Sequence, residues 1–253
     1  MEWVYAGWPT KHIALGPGTF EVNLDVTGGS GRAKINSLSI EGCSADETVL
    51  HAASDDHSIL EVSEAKAVRV TGVTLEGGRR ALRVRDGAKV HMRHSRIEGS
   101  TLVAALVQDR KSQLFLRDTE IWDTVPEDSI GWGVAVLDGK LHMTDSSIHK
   151  STGIGLFADA AKLELTDIEV HDTLPSGRFN ALGRGIHVQN GSEITMTGGL
   201  LQNNADAGIF LLDVTKAIID GVMIDITSAG IVIDFPSTGF SGDGIVVYGG
   251  QNI

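Results

Sequence analysis

Along most of the chain, apolar and polar positions follow an eight-residue signature: offsets 0, 2, 5 and 7 are apolar or small, and offsets 1, 3, 4 and 6 are mostly polar. It reads VRVTGVTL from Val68, VHMRHSRI from Val90, LFLRDTEI from Leu114, LHMTDSSI from Leu141, LELTDIEV from Leu163, ITMTGGLL from Ile194 and AIIDGVMI from Ala217. Successive starts lie 22, 24, 27, 22, 31 and 23 residues apart. Alternation with period two marks strands, and the break in phase after offset 2 marks a bend between two of them. Helical spacing does not fit. A further short strand follows each signature, as in ALRV at Ala81, GVAV at Gly133, GIGL at Gly153, GIHV at Gly185, GIFL at Gly208 and GIVI at Gly230. A unit of this size cannot bury its apolar face alone and must stack on its neighbours. The pattern predicts an all-β chain, a right-handed single-stranded parallel β-helix of about nine coils, with equivalent residues of successive coils about 4.8 Å apart.

Composition narrows the picture. Of 253 residues, 42% are apolar but only 5% aromatic, which suits a long, thin core of Val, Ile and Leu, and the 31 glycines suit many tight turns. The whole chain, 1–253, reads as one domain. A formal charge of -12 argues against nucleic acid as a partner, and no apolar run is long enough for membrane insertion. The one cysteine, Cys43, excludes an internal disulfide framework. No secretory signal is present at Met1.

The segments IALGPGTFEVNLDV from Ile13 and LSIEGCSADETVL from Leu38, with the later Gly-Ile-x-Val strands, resemble the coils of right-handed parallel β-helix repeat proteins of the pectate-lyase-like superfamily. The resemblance covers roughly residues 12 to 234. It implies the fold and a secreted or cell-surface location. Activity does not follow, because that superfamily includes lyases, hydrolases, epimerases, tailspikes and adhesins. The chain departs from the enzymes: it has no Asn-Thr-Asp, His-Gly and Arg-Ile-Lys set and no Trp-Ile-Asp-His segment.

Aligned signatures place polar residues in columns. Asp86, Asp109, Asp138, Asp159, Asn190 and Asp213 follow the second strand and read as turn devices. Asp118, Asp145 and Asp167 at offset 4 are read as bend caps, with Ca2+ as the alternative and no other cofactor indicated. Ser100, Thr124, Ser151, Thr173, Asn204 and Thr227 form a hydroxyl and amide ladder at a bend. His91 and His142, with Phe115 between them, read as solvated surface.

Function is expected where the repeat is broken. Thirteen residues separate Ile121 from Val134 and sixteen separate Val170 from Ile186, against six to eight elsewhere. These insertions, 125–132 and 174–184, leave the same corner and would wall a cleft. Its floor would carry Trp122, Asp123, His149, Lys150, His171 and Asp172, with Trp132, Arg178 and Arg184 on the walls. The tryptophans could stack on sugars and the arginines could hold a uronate. Lys150 or a histidine could abstract a proton, or Asp123 and Asp172 could act as acid and base about 9.5 Å apart. No metal site is expected there, since no close His or Cys pair fixes a geometry.

The expected function is binding, with cleavage as an extension, of a polysaccharide or cell-surface glycan in this cleft. The alternative is a non-catalytic structural or adhesin-like surface module that binds another protein. At the ends, residues 1–11, with Trp3, Tyr5 and Trp8, read as an N-terminal cap or leader, and 235–253 as a C-terminal tail, cap or incomplete coil. An uncovered strand edge there would invite end-to-end self-association or indicate missing coils.

Overall fold

The computed structural model describes residues 11–29, 35–126, 131–176, 182–225, 230–234, 237–241 and 243–249. The expected N-terminal plug (Trp3, Tyr5, Trp8), Thr227, Arg178 and the middle of both insertions, residues 127–130 and 177–181, lie outside the described residues. Two large parallel sheets run along one axis, and their strands are joined rung to rung in the order of the signatures. One sheet follows the path Lys11–Ala14, Ser37–Glu41, Ala67–Thr71, Lys89–Glu98, Gln113–Trp122, Lys140–Thr144, Lys162–His171, Glu193–Gln202 and Lys216–Asp220. The other runs from Leu24–Thr27 to Asp243–Tyr248 through Ser58–Ser63, Arg80–Arg85, Val103–Gln108, Trp132–Leu137, Ile154–Asp159, Arg184–Gln189 and Ala207–Leu212. The chain is a right-handed parallel β-helix, and no α-helix occurs among the described residues.

The register confirms the signature as the unit of stacking. Val68 pairs with Val90, Val90 with Leu114, Leu114 with Leu141, Leu141 with Leu163 and Leu163 with Ile194. Offsets 0, 2 and 7 are buried from Val68 through Leu201, and offset 5 is buried from Val73 through Ile168. Each signature bends at offset 4. There Gly72, His94, Asp118, Asp145, Asp167, Gly198 and Gly221 all take left-handed backbone, with φ between 47° and 67°. Aspartate and glycine accept this conformation most readily, so the offset 4 column is set by the bend it must make. Among the described residues, no group of three His, Cys, Asp or Glu is disposed to hold a metal ion.

The bend divides one sheet into two outer faces, and the second sheet makes a third. At the corner between the second and third faces sits a buried polar ladder of Ser100, Thr124, Ser151, Thr173 and Asn204, as expected. Asn204 Nδ2 donates to Val170 O at 3.0 Å, and its Oδ1 accepts from Thr173 N at 3.3 Å. After the third-face strand the left-handed residues are Asp86, Asp109, Asp138, Ala160, Asn190 and Asp213. Asp159 is therefore one place out of its expected column: it pairs with Leu137, and Ala160 makes the turn.

Candidate functional site

Offset 8 faces outward on the second face, just before the corner. In successive rungs it carries Glu76, Glu98, Trp122, His149 and His171. Parallel register at about 4.8 Å per rung turns these into a stack. Trp122 lies over His149 with ring centroids 5.8 Å apart, and His149 over His171 at 4.9 Å, both pairs within 13° of parallel. The structure thus brings together the three expected floor rings. Each inner ring face is occupied by the next ring. Two outer faces remain, that of Trp122 toward the rung of Glu98 and that of His171 toward the rung of Gln202.

Offset 9 is the corner itself, and here too the backbone is left-handed: Gly77, Gly99, Asp123, Lys150, Asp172 and Asn203 have φ of 81°, 67°, 54°, 53°, 56° and 52°. Asp123, Lys150 and Asp172 therefore sit side by side along the axis rather than around one point. Where the column changes from Gly99 to Asp123, side chains stop. The result is a recess of about 200 Å³ lined by Glu76, Glu98, Gly99, Trp122 and Asp123. A Cβ built on Gly99 would find no atom closer than Gly77 N at 3.7 Å, so the glycine leaves open space and is not buried under a neighbour.

Electrostatics around the stack are acidic. Burial holds the Glu98 carboxyl above its ordinary value, against the pull of Arg96, and Glu76, Glu120 and Asp123 add to the rise. Glu120 also feels burial. Hydrogen bonds from Arg96 Nε at 2.6 Å and His149 Nε2 at 2.9 Å outweigh it and hold Glu120 below the usual range. Asp172 is held low mainly by His171 Nδ1 at 2.8 Å, against burial, with Asn203 Nδ2 at 3.2 Å assisting. Lys150 Nζ lies 5.2 Å from the centre of the Trp122 ring, a cation–π contact.

The expected walls divide differently. Trp132 and Arg184 lie on the third face, away from this floor, because the Gly-Ile-x-Val strands do not alternate strictly. A Cβ on Gly133 would come within 2.5 Å of Ile148 Cγ2 in the core, so the glycine position faces inward; the next residue, Val134, is buried as well. Two successive inward positions send the preceding residue outward on the third face. Trp132 packs there on Phe157 at 4.6 Å. Arg184 is 7% exposed; its Nε donates to Asp206 Oδ2 at 2.8 Å, and its guanidinium lies 3.4 Å over the Phe210 ring. Beside it His187, 7% exposed, is driven by burial and by Arg184 down to a pKa of about 3. Of the first insertion Val125 is exposed, and of the second Leu174; Gly131 and Leu174 are the residues that flank Thr152 at the corner.

Sequence reasoning missed Glu76, Glu98, Gly99, Glu120 and Arg96. The signal was available in one column: offset 9 reads Gly, Gly, Asp, Lys, Asp, Asn, and the change from glycine marks the recess.

No protein-family model matches this chain, and no curated protein matches it. Among solved structures, the A-module of an Azotobacter vinelandii mannuronan C-5 epimerase, AlgE4, aligns over 96% of this chain and 90% of its own, with 11% identity and a TM-score of 0.36. A rice weevil pectin methyl esterase aligns over 87% of this chain and 59% of its own, with 11% identity and a TM-score of 0.35. A pectin methylesterase in complex with a hexasaccharide aligns over 97% and 82%, with 12% identity and a TM-score of 0.36. All are right-handed parallel β-helices, the architecture that this chain's own strand register shows. At such scores the likeness carries no argument about ligand or activity.

Proposed function

We propose that this chain binds a neutral polysaccharide, with one sugar ring seated on the open face of Trp122 and the polymer lying along the solenoid axis. The observation that carries the reading is the recess itself: an indole face closing one side and Glu76, Glu98 and Asp123 lining the rest, next to a glycine that leaves room. Aromatic faces take the apolar C–H side of a pyranose, and carboxylates accept hydrogen bonds from its hydroxyls. Uronates would meet like charge. Arg184, the described arginine expected to hold a uronate, is buried against Asp206, which favours a neutral sugar.

The reading is one of binding: Asp123, Lys150 and Asp172 occupy successive rungs of one column, and Asp172, held below the usual carboxylate range mainly by His171, offers its oxygens as hydrogen-bond acceptors. Lys150 instead supplies a donor beside the Trp122 ring. A ligand of this kind places the chain at a cell surface or outside the cell. The test is an array of neutral and uronate oligosaccharides probed with the parent and Trp122→Ala. Retention of neutral glycans by the parent and their loss in the variant supports the reading. Equal retention by both, or no retention by the parent, refutes it and leaves the protein-binding scaffold.

A further inference from the structure

On the first outer face, before the offset 4 bend, the charge reverses. The four consecutive strands Ala67–Thr71, Lys89–Arg93, Gln113–Arg117 and Lys140–Thr144 carry Arg69, Lys89, Arg93, Arg117 and Lys140 and no acidic residue, in a chain of net charge -12. None of the five makes an ion pair with a described residue, although pairing is common on the neighbouring faces. Arg93 and Arg117 are direct register partners, both exposed, about 4.8 Å apart at the backbone. Like charges directly opposite on adjacent strands are destabilising, a cost that a bound anion would offset.

A groove of about 200 Å³ runs beside this pair, lined by His91, Phe115, His142 and Thr144 among others. The three rings stack on one another with centroids 4.4 Å apart in both steps. Burial, followed by the cations Lys89, Arg69 and Arg93, pushes the His91 pKa down, a sign that the strip already carries concentrated positive charge.

We infer that this strip is a second binding site, for a short acidic polysaccharide bearing a carboxylate or sulfate on successive sugars. Arginine forks match both anions in geometry: Arg93 and Arg117 stand side by side on adjacent rungs, and Lys89 and Lys140, two rungs apart on either side of Gln113, flank them, so cations succeed one another along the axis as charges do along an acidic chain. Nucleic acid fits poorly: the ring faces that would stack bases are turned against each other, and the acidic remainder of the molecule repels a long polyanion. The site lies across the bend from the Trp122 recess and does not depend on it.

The experiment is calorimetric titration at low salt with a galacturonate hexasaccharide, a sulfated hexasaccharide from heparin and a neutral hexasaccharide, using the parent, Arg93→Gln/Arg117→Gln and Trp122→Ala. The inference predicts that at least one acidic probe binds, that added salt weakens it, and that the double variant loses tenfold or more at a melting temperature no lower than the parent's. It also predicts that Trp122→Ala binds the acidic probe like the parent; which probe binds separates carboxylate from sulfate. Absence of acidic binding, equal binding by the double variant, loss in Trp122→Ala, or tighter binding of a single-stranded oligonucleotide of equal charge would each overturn it. Failure of the neutral arm alone would bear on the recess and leave this site standing.

Discussion

Two three-ring stacks run along adjacent faces, His91–Phe115–His142 and Trp122–His149–His171, offset by one coil and sharing two, and in both the rings lie within 13° of parallel. Their surroundings differ. The first sits beside arginines and lysines that make no ion pair with a described residue, with Glu164 against His142 at its C-terminal end, whereas the second sits among carboxylates and ends on an indole face over an open recess. Stacking is therefore a by-product of parallel register, which aligns any column of rings. Chemistry comes from what the column ends on and from the charges beside it.

The comparison rests on one shared core, and the largest expected effect is to break it. Leu163→Asp places a carboxylate in a column that is 1% exposed, at a cost of more than about 4 kcal/mol, and denaturant titration should show the chain unfolded or lacking a cooperative transition. Next in size is Gly155→Val. A Cβ there comes within 2.6 Å of Gly185 O and Val170 Cγ1, so the variant should lose about 1–3 kcal/mol by the same measurement, disturbing the third face and sparing both stacks.

The third face offers a pH-dependent contrast, because its imidazole is buried while those of the two stacks are partly exposed. His187 stays neutral in the folded chain down to about pH 3, whereas the unfolded imidazole protonates below its ordinary 6.5. Between those values the unfolded state binds more protons. Stability from this group is complete above pH 6.5 and falls by about 1.4 kcal/mol per unit as pH drops toward 3. His187→Phe should flatten that part of the acid limb in denaturation curves taken across the window. A smaller effect is expected for Trp122→Ala, which should weaken a neutral oligosaccharide about tenfold, or about 1.4 kcal/mol by titration, while the His91 stack still holds its acidic ligand.

Much of the fold was legible because burial in a β-helix is periodic. The offsets of Val90, Leu114 and Leu141 dictated both the inward positions and the bend, and the floor residues Trp122, His149 and His171 followed from register alone. Placement of Trp132 and Arg184 was not legible. Loop length shows that a corner is decorated; it does not show that two successive inward residues will turn the side chain before them onto another face. The recess was hidden for a related reason: it is made by the missing side chain of Gly99, and a search for chemical groups passes over glycine.

The most direct test of the account fills that space. Asparagine accepts left-handed backbone and already occupies the same corner column at Asn203, so Gly99→Asn should fold with a stability within about 1 kcal/mol of the parent. Titration of the neutral oligosaccharide that the parent retains should then show at least a tenfold loss of affinity at an unchanged melting temperature. Binding equal to that of the parent, with the recess filled, would contradict the account.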